Sequence, residues 1–359
     1  MNGIAGVRIA GTGSYLPGPA IDREKAREFL ERYPDALSPE DHERLLDESG
    51  ILTRHFAIDL DDERKRESNT SMAAAAARQA LDVAGWRPND VELLVVTTVV
   101  PDQLMPPTST LVQEALGIER CAEVEISANC SAPYKGLAFA ASQLRLRVCQ
   151  RALVCSVQFS SFLGIPPWTN AARMAATHGA LRWIVSDGAG AVALERGDPD
   201  TGLRVWLSST GVGEESGMSL ALGARFPDLI GSFDEGAHHV RQDDRFVIRA
   251  GVHQALAAFD RMFHDLGVDP RCIDHFMPAV ASMRLASIIQ RAGTARWGIP
   301  AESWRINLDH VGYLGGVGFL VLLDEMARGG TLRPGDVVCG FAEESSKWMS
   351  AAAILNWNP

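Results

Sequence analysis

The stretch EISANCSAPYKGLAFAASQLRL, residues 125–146, passes from a strand pattern into a helix pattern around a single cysteine. The short β-branched run at 122–126 predicts the strand, and the apolar residues of KGLAFAASQL recur at helical spacing. Pro133 suits the first turn of that helix, where its missing N–H removes no hydrogen bond. Cys130 is therefore expected just ahead of a helix N-terminus, whose unpaired N–H groups favour a thiolate.

The same plan of elements occurs twice along the chain. A helix from Met72 and a helix from Val247 each end at a glycine, and a short acidic turn then leads into an apolar strand. Short apolar strands that alternate with helices predict an α/β protein whose parallel strands are covered on both faces. The polar segment ERGDPDTG divides the copies, so we expect one half at residues 1–198 and the other at residues 199–359.

Composition and charge exclude several classes of protein. A chain of 359 residues that is 46 % apolar suits two domains or one duplicated core. The net charge of −11 argues against a nucleic-acid binder, and no apolar run approaches the roughly 18 residues that a membrane helix needs. The N-terminal residues lack the basic start and apolar core of a signal peptide, so a cytoplasmic location is expected.

The six cysteines do not form a metal-binding pattern. They show no C-x-x-C spacing and no histidines at zinc-finger distance, so no metal is expected, and in the cytoplasm they are free thiols. Cys155 and Cys339 lie inside apolar strand-like runs and are interpreted as buried core residues. Cys130 differs because small and polar residues surround it, which makes it the candidate nucleophile.

The repeat predicts a histidine partner for this cysteine. In the duplicated frame the loop at Cys130 corresponds to the loop from His310 to Tyr313, and both loops precede a helix. A cysteine and a histidine suffice for covalent acyl transfer, in which the thiolate attacks a thioester, the imidazole moves protons and backbone N–H groups hold the oxyanion. We expect Asp309 or another carboxylate to orient His310. The alternative is a histidine that only packs between the halves.

Six segments that together span most of the chain resemble the ketoacyl-ACP synthase III branch of the thiolase superfamily. They are GTGSYLP, SGILTRHFA, VTTVVPDQLMPPTSTLVQEALG, SANCSAPYKGLAFA, SDGAGAVALE and VLLDEMARGGTLRPGDVV, in family order. The resemblance implies a thiolase fold, which is a duplicated five-layered αβαβα core, and a homodimer. It also implies that Cys130 is the acylated nucleophile. It implies no cofactor beyond an acyl-ACP or acyl-CoA donor.

Two departures from this family bear on the reaction. Condensing members carry a histidine in a PHQAN stretch and an asparagine in a GNTS stretch, which stabilise the enolate formed from malonyl-ACP. Here Ala279 in PAVAS and Tyr313 in GYLGG stand in their places, so condensation by the usual route is not expected. With His310 three residues before Tyr313, the chain is similar to the non-condensing acyltransferases of antibiotic pathways. Those members transfer an acyl group to a hydroxyl or an amine, often of a sugar or polyketide.

Further positions bear on the donor. The family's CoA-binding arginine is Glu48 here, and the terminal FGGGF loop, which helps to form the oxyanion hole, is replaced by a segment that contains Glu343 and Glu344. Arg284 matches a position that the family uses for docking carrier proteins, although a plain surface arginine fits the sequence as well. A carrier-protein thioester is therefore expected to be a better donor than the CoA thioester.

The sequence thus predicts a thioester-dependent acyltransferase with a ping-pong mechanism. Cys130 takes an acyl group from a carrier-protein or CoA thioester, and His310 deprotonates the hydroxyl or amine of a small-molecule acceptor. One alternative is a condensing enzyme that primes a polyketide with His310 in a new geometry. Another is a non-catalytic subunit of a thiolase-fold complex, against which the intact NCSA sequence argues.

Overall fold

The computed structural model describes residues 6–32, 38–61, 64–164, 173, 180–197, 202–209, 215–220 and 228–358. The described strands are β1 (Val7–Tyr15), β2 (Ile21–Asp22), β3 (Thr53–Arg54), β4 (Leu93–Thr98), β5 (Ala122–Ser127), β6 (Arg151–Gln158), β7 (Gly188–Arg196), β8 (Arg204–Ser209), β9 (Met218–Leu220), β10 (Val240–Gln242), β11 (His275–Pro278), β12 (Val337–Glu344) and β13 (Met349–Asn356). The described α-helices are α1 (Arg23–Leu30), α2 (Pro39–Ser49), α3 (Asn69–Ala84), α4 (Thr108–Leu116), α5 (Ala132–Arg145), α6 (Leu229–Asp234), α7 (Asp244–Leu266), α8 (Met283–Trp297), α9 (Leu308–Val311) and α10 (Val317–Arg328). None of these helices is long and apolar enough to cross a membrane.

The two large sheets have matching strand orders. The first sheet has the order β1–β7–β6–β4–β5, and the second has the order β8–β13–β12–β11. Corresponding neighbours run in the same sense: β4 and β6 are parallel, as are β11 and β12, whereas β7 and β13 are antiparallel to both of their neighbours. Trp304 pairs with Phe276 beside β11, at the place that β5 holds beside β4. The duplication that the sequence predicts is therefore present in the sheets.

The expectation of wholly parallel strands is wrong for the last strand of each half. β7 and β13 are as apolar and as buried as the parallel strands, so hydrophobicity alone does not reveal their direction. Residues 345–348 join β12 to β13, and so short a connection can link only antiparallel strands. β7 ends at Arg196 and β8 begins at Arg204, while the predicted boundary between residues 198 and 199 lies outside the described residues.

Helices form three layers around the two sheets. α3 and α4 cover the outer face of the first sheet, α5 and α10 pack between the sheets, and α7 and α8 cover the outer face of the second sheet. Each helical layer shares a buried apolar core with the sheet or sheets that it contacts. The predicted αβαβα layering is confirmed.

Local sequence explains the close packing of the first two layers. α3 begins after its N-cap residue Ser68, whose side chain accepts a hydrogen bond from the Ser71 N–H, and it ends at Gly85, which takes a left-handed φ of 67°. The alanine-rich face of α3 lies directly on β1, where a Cβ at Gly11 or Gly13 would come within 2.3 Å of a helix carbonyl oxygen. The glycines of the GTG sequence are therefore what allows this helix and this strand to meet.

The starts of α5 and α10 meet between the sheets. β5 leads through a short turn into α5, as predicted, and Cys130 lies two residues before that helix. A Cβ at Gly316, the residue before α10, would lie 1.9 Å from the carbonyl oxygen of Cys130. Because only a glycine permits this approach, the GG of GYLGG brings a loop of the second half against the cysteine. The two loops that the repeat pairs are in contact.

Candidate active site

Cys130 lies in the turn between β5 and α5 and is almost fully buried, with 6 % of its surface exposed. Its Sγ lies 3.4 Å from the phenol oxygen of Tyr313 and 3.8 Å from Oδ1 of Asn129. The residue also lines a cavity of about 410 Å³, which gives a small molecule room beside the thiol. The predicted position of Cys130, just ahead of a helix N-terminus, is the observed one.

The surroundings of Cys130 favour the thiol over the thiolate. Burial raises the pKa of Cys130 to about 11, and the charge of Glu344 acts in the same direction, whereas the hydrogen bond with Tyr313 acts to lower the pKa. The expectation that the N-terminus of α5 favours a thiolate is therefore wrong for this state of the protein. Desolvation of a buried sulfur disfavours its charged form.

The negatively charged group at the start of α5 is the Glu344 carboxylate and not a Cys130 thiolate. Its Oε2 accepts hydrogen bonds from the backbone N–H of Ser131 at 3.0 Å and from the Ser131 hydroxyl at 2.5 Å. Its Oε1 accepts a hydrogen bond from the Ser346 hydroxyl at 2.5 Å. A carboxylate is stabilised at a helix N-terminus, and here it fixes the start of α5 next to the sulfur. Both oxygens of Glu344 are thus engaged.

Tyr313 is held firmly opposite Cys130. Its N–H donates to the carbonyl oxygen of Ile184, and its own carbonyl oxygen accepts from the N–H of Ser186, each at 3.0 Å. Burial raises the pKa of Tyr313 well above its usual value, so the phenol is a neutral hydrogen-bond donor beside the sulfur. In the sequence Tyr313 is only a bulky replacement for an asparagine. The signal for its position is its place in the loop that the repeat pairs with Cys130.

The structure places His310 at the surface of α9. Its Nδ1 lies 2.9 Å from Oδ1 of Asp309, and its Nε2 lies 2.7 Å from Oε1 of Glu325. Half of the His310 side chain is exposed, and the described lining of the cavity does not include it. Asp309 does contact His310, as the sequence predicts, but no described hydrogen bond joins His310 to Cys130. The catalytic roles of His310 and Asp309 stay predictions.

The direction of the chain after α9 explains why Tyr313, and not His310, lies beside Cys130. α9 is a single turn that ends at Gly312, where φ is 74° and where a Cβ would lie 2.7 Å from the Cβ of Ser186. The left-handed glycine turns the chain inward. His310, before the turn, faces solvent and Glu325, whereas Tyr313, after the turn, faces Cys130. A repeat pairs loops, but it does not specify which residue of a loop points inward.

The cavity beside Cys130 is mostly apolar. α7 and α8 supply one wall, which includes Phe259 and Ile289. Ala279 lines the cavity with a methyl group, while its N–H donates to the carbonyl oxygen of Phe341 at 2.8 Å. The position that holds an enolate-stabilising histidine in condensing members of the resembled family therefore has no side-chain donor here.

The chain is similar to known proteins in both sequence and structure. No protein-family model matches the chain. The β-ketoacyl-[acyl-carrier-protein] synthase III of Erythrobacter litoralis is 28 % identical over 330 residues, which cover 92 % of this chain and 93 % of that protein. The solved structure of AbyA1, a tetronic acid condensing enzyme, matches with a TM-score of 0.81 at 24 % identity and covers 97 % of this chain and 99 % of its own. The 3-oxoacyl-[acyl-carrier-protein] synthase III of Aquifex aeolicus matches with a TM-score of 0.77 at 22 % identity, over 98 % and 100 % of the two chains.

The chain has the thiolase fold. Its resemblance to the ketoacyl-ACP synthase III branch of the thiolase superfamily is confirmed by likenesses that extend over almost the whole chain. Within this thiolase fold, Cys130 comes from the first half and Tyr313 from the second. The candidate site therefore forms where the two halves meet.

The two glutamates of β12 have separate places in this thiolase fold. Glu344 contacts Ser131, as described above, whereas Glu343 lines the cavity. The Ser350 hydroxyl donates to Oε2 of Glu343 at 2.6 Å, and Oε1 is buried without a hydrogen-bond partner among the described residues. Burial raises the pKa of Glu343 to about 7. The sequence marks both carboxylates but does not distinguish them.

Glu48 and Arg284 contact each other. Nη1 of Arg284 forms an ion pair with Oε1 of Glu48, and both residues line the cavity. The Arg284 side chain is 65 % exposed and that of Glu48 is 35 % exposed, which puts the pair where the cavity reaches solvent. The sequence treats these two residues as separate influences on the donor, and the structure joins them. The docking role of Arg284 stays a prediction.

Proposed function

We propose that this thiolase-fold protein is an acyltransferase. It takes an acyl group from a carrier-protein or CoA thioester, holds it on Cys130, and transfers it to a hydroxyl or amine of a natural-product acceptor such as a sugar. We further propose that the protein is a cytoplasmic homodimer that acts in antibiotic biosynthesis. It needs no cofactor besides the acyl donor.

The observation that carries the proposal is the presence of Ala279 and Tyr313 in the lining of the cavity that holds the thiol. Ala279 offers no hydrogen bond to an enolate, and Tyr313 places its phenol oxygen 3.4 Å from the sulfur. A nucleophilic thiol in an apolar cavity needs only an oxyanion donor and a proton acceptor to exchange acyl groups. Formation of a carbon–carbon bond would require a stabilised enolate as well. The site thus supports transfer to a heteroatom better than condensation.

The two half-reactions follow from this arrangement. In the first, the sulfur of Cys130 attacks the thioester carbonyl, the donor's C–S bond breaks, and the Cys130 proton leaves with the donor thiol. The neutral phenol of Tyr313 can donate to the oxygen that becomes negative in the tetrahedral intermediate. In the second, the acceptor attacks the acyl-Cys130 carbonyl, the new C–O or C–N bond forms as the acyl C–S bond breaks, and the proton lost by the acceptor regenerates the cysteine thiol.

A second candidate function has support of its own. The relatives and solved structures reported above are named as synthases or condensing enzymes. A condensing activity on this chain would have to stabilise an enolate without a donor at Ala279. The release of carbon dioxide from a malonyl donor distinguishes the two functions, because heteroatom transfer does not require decarboxylation.

Two surface features support the homodimer. β5 is the edge strand of the first sheet and is exposed at both ends. Leu104 and Met105, in the loop before α4, are 83 % and 85 % exposed. An edge strand and exposed apolar side chains are both suited to contact with a second copy of the chain. Light scattering at several protein concentrations tests this part of the proposal.

The deciding experiment is intact-protein mass spectrometry after incubation with a panel of acyl thioesters. The wild-type protein should gain one acyl mass, and Cys130→Ala should gain none. Cys155→Ala is a matched control, because Cys155 is fully buried in β6 and lies outside the cavity lining. Full acylation of Cys130→Ala, or Cys130-dependent release of carbon dioxide from malonyl-ACP at the rate of turnover, would contradict the acyltransferase proposal.

A further inference from the structure

Glu343 and Glu344 point to opposite sides of β12. Side chains of successive strand residues alternate between the two faces of a sheet. Glu344 reaches Ser131 in the layer between the sheets, so Glu343 lies on the other face, toward α7. There Glu343 lines the same cavity as Cys130, together with apolar side chains of α7 such as Val252 and Phe259. A carboxyl group therefore stands in an apolar wall.

The carboxyl of Glu343 is incompletely satisfied. Ser350 donates to Oε2 at 2.6 Å, and the buried Oε1 has no partner among the described residues. Buried polar atoms are almost always paired, so an unpaired one calls for an explanation such as a catalytic role or a bound partner. Burial raises the pKa of this carboxyl, the Ser350 hydrogen bond and the charge of Arg261 on α7 act to lower it, and the charge of Glu344 on β12 acts to raise it. The result is a pKa of about 7, at which both forms are populated near neutral pH.

The other candidate bases are occupied or unsuitable. His310 is bound by two carboxylates outside the cavity lining, and both oxygens of Glu344 accept hydrogen bonds. Glu48 lines the cavity but is paired with Arg284. The raised pKa of Tyr313 keeps its phenol protonated at neutral pH, so it cannot take the proton of the acceptor. Among the described residues of the lining, Glu343 is thus the carboxyl group with a buried oxygen that has no hydrogen-bond partner and with no ion pair to occupy it.

We propose that Glu343 is the general base of the transfer half-reaction and accepts the proton of the acceptor. This rests on the proposed acyl-Cys130 intermediate. As the acceptor oxygen attacks the acyl carbon, its O–H bond breaks and the proton passes to Oε1 of Glu343. The C–S bond then breaks, and the Cys130 thiolate takes that proton back, so the enzyme returns to its starting state. Ser350 positions the carboxylate by holding its other oxygen.

The test separates the two half-reactions. Cys130 is acylated with a short acyl-pantetheine, excess donor is removed, and loss of the acyl mass is followed by mass spectrometry between pH 5.5 and 9. The nucleophiles are water, glycerol and hydroxylamine. Wild-type deacylation by water and glycerol should show an inflection near pH 7, because that is where Glu343 becomes a carboxylate.

Glu343→Gln keeps the shape and removes the base. We expect acylation at the wild-type rate, deacylation by water and glycerol slower by roughly 10²-fold or more, and no inflection near pH 7. Hydroxylamine, which attacks thioesters without a strong base, should deacylate both proteins at similar rates. Ser350→Ala, which frees Oε2, should move the inflection while leaving acylation intact. Glu343→Asp should recover part of the transfer rate.

Other outcomes overturn the assignment. Wild-type transfer and an unchanged inflection in Glu343→Gln would remove Glu343 from the mechanism and leave the acyltransferase proposal standing. Equal losses in acylation, hydroxylamine release and melting temperature would assign Glu343 a structural role only. Absence of any acyl-Cys130 in the wild-type protein would instead overturn the proposed function, and the role of Glu343 with it.

Discussion

The phenol oxygen of Tyr313 lies 3.4 Å from the sulfur of Cys130, across the junction between the two halves of the fold. The phenol is neutral and the thiol is neutral, because burial raises the pKa of both groups. The contact therefore has a different meaning from a thiolate–imidazole pair. The Tyr313 phenol can donate a hydrogen bond to negative charge that forms on the sulfur or on the acyl oxygen. It does not act as a base for the thiol proton.

Replacement of Tyr313 by phenylalanine tests this contact. The hydrogen bond from Tyr313 acts to lower the pKa of Cys130, so its loss should raise that pKa further. We expect acylation of Cys130 to slow by roughly 5- to 30-fold, which corresponds to a hydrogen bond of about 1–2 kcal/mol. The measurement is the rate of acyl mass gain, together with the pH profile of iodoacetamide alkylation.

Tyr134→Phe is the matched control for that experiment. Tyr134 is also fully buried, but its phenol oxygen has no hydrogen-bond partner among the described residues. Its removal should leave the acylation rate and the alkylation profile of Cys130 near those of the wild type. Equal effects of the two substitutions would show that packing, and not the Tyr313 hydrogen bond, governs the reactivity of the thiol.

Glu344→Gln should make Cys130 more reactive. The charge of Glu344 raises the pKa of Cys130, and glutamine removes that charge while retaining an oxygen that can accept from Ser131. We expect alkylation by iodoacetamide at pH 8 to become roughly 3- to 10-fold faster, which is the effect of about half to one pKa unit. Glu343→Gln, on the opposite face of β12, should have a smaller effect. A slower reaction in Glu344→Gln would show that its carboxylate assists ionisation instead.

Much of the fold can be predicted from the sequence because the signals are local. The glycines that follow the two helical patterns end α3 and α7 in a left-handed conformation, as the sequence predicts. The place of Cys130 before α5 follows from Pro133 and the helical spacing after it. The antiparallel direction of β7 and β13 could not be predicted, since a strand buried on both faces is apolar whichever way it runs.

The site was less predictable because its chemistry depends on side-chain direction and burial. The φ of 74° at Gly312 turns the chain so that Tyr313, and not His310, contacts the sulfur. This backbone angle could not be predicted from the sequence. The pKa of Cys130 depends on the burial of its sulfur and on the charge of Glu344, which lies 214 residues later in the chain. Both influences are properties of the packed structure rather than of any motif.

The ion pair between Glu48 and Arg284 leads to a prediction about the donor. If Arg284 docks a carrier protein by pairing with carboxylates of that protein, Glu48 competes with those carboxylates for the arginine. Glu48→Gln should then lower KM for an acyl carrier-protein donor several-fold and leave KM for an acyl-pantetheine donor unchanged. Both residues are partly exposed, so the loss of their pair should change the free energy of unfolding by no more than about 1 kcal/mol.

Arg284→Ala completes that experiment. It should raise KM for the carrier-protein donor and, like Glu48→Gln, have little effect on the pantetheine donor, which lacks the protein surface. The double variant should resemble Arg284→Ala alone, because Glu48 acts only through the arginine. A rise in KM for both donors would place Arg284 in the cavity chemistry rather than in docking.

The variant His310→Ala distinguishes two roles for this histidine. The sequence predicts a catalytic base, whereas the structure places His310 in a surface cluster with two carboxylates. Although burial lowers the pKa of His310, hydrogen bonds to Asp309 and Glu325 raise it overall above 6.5. The protonated ring is therefore favoured in the folded protein. Its stabilising effect is complete below the unfolded value of about 6.5 and is lost as the pH rises through the higher folded pKa. The melting temperature of His310→Ala should consequently fall further below the wild type at pH 5.5 than at pH 8.5.

Deacylation of acyl-Cys130 should remain within about twofold of the wild-type rate in His310→Ala, because the ring contacts two carboxylates and lies outside the described cavity lining. Glu325→Gln removes one of those carboxylates and should weaken the pH dependence of the melting temperature without changing deacylation. A general base contributes roughly 10²- to 10⁴-fold to a transfer step. A loss of that size in His310→Ala, with its melting temperature unchanged, would require α9 to move during turnover and bring His310 to the sulfur.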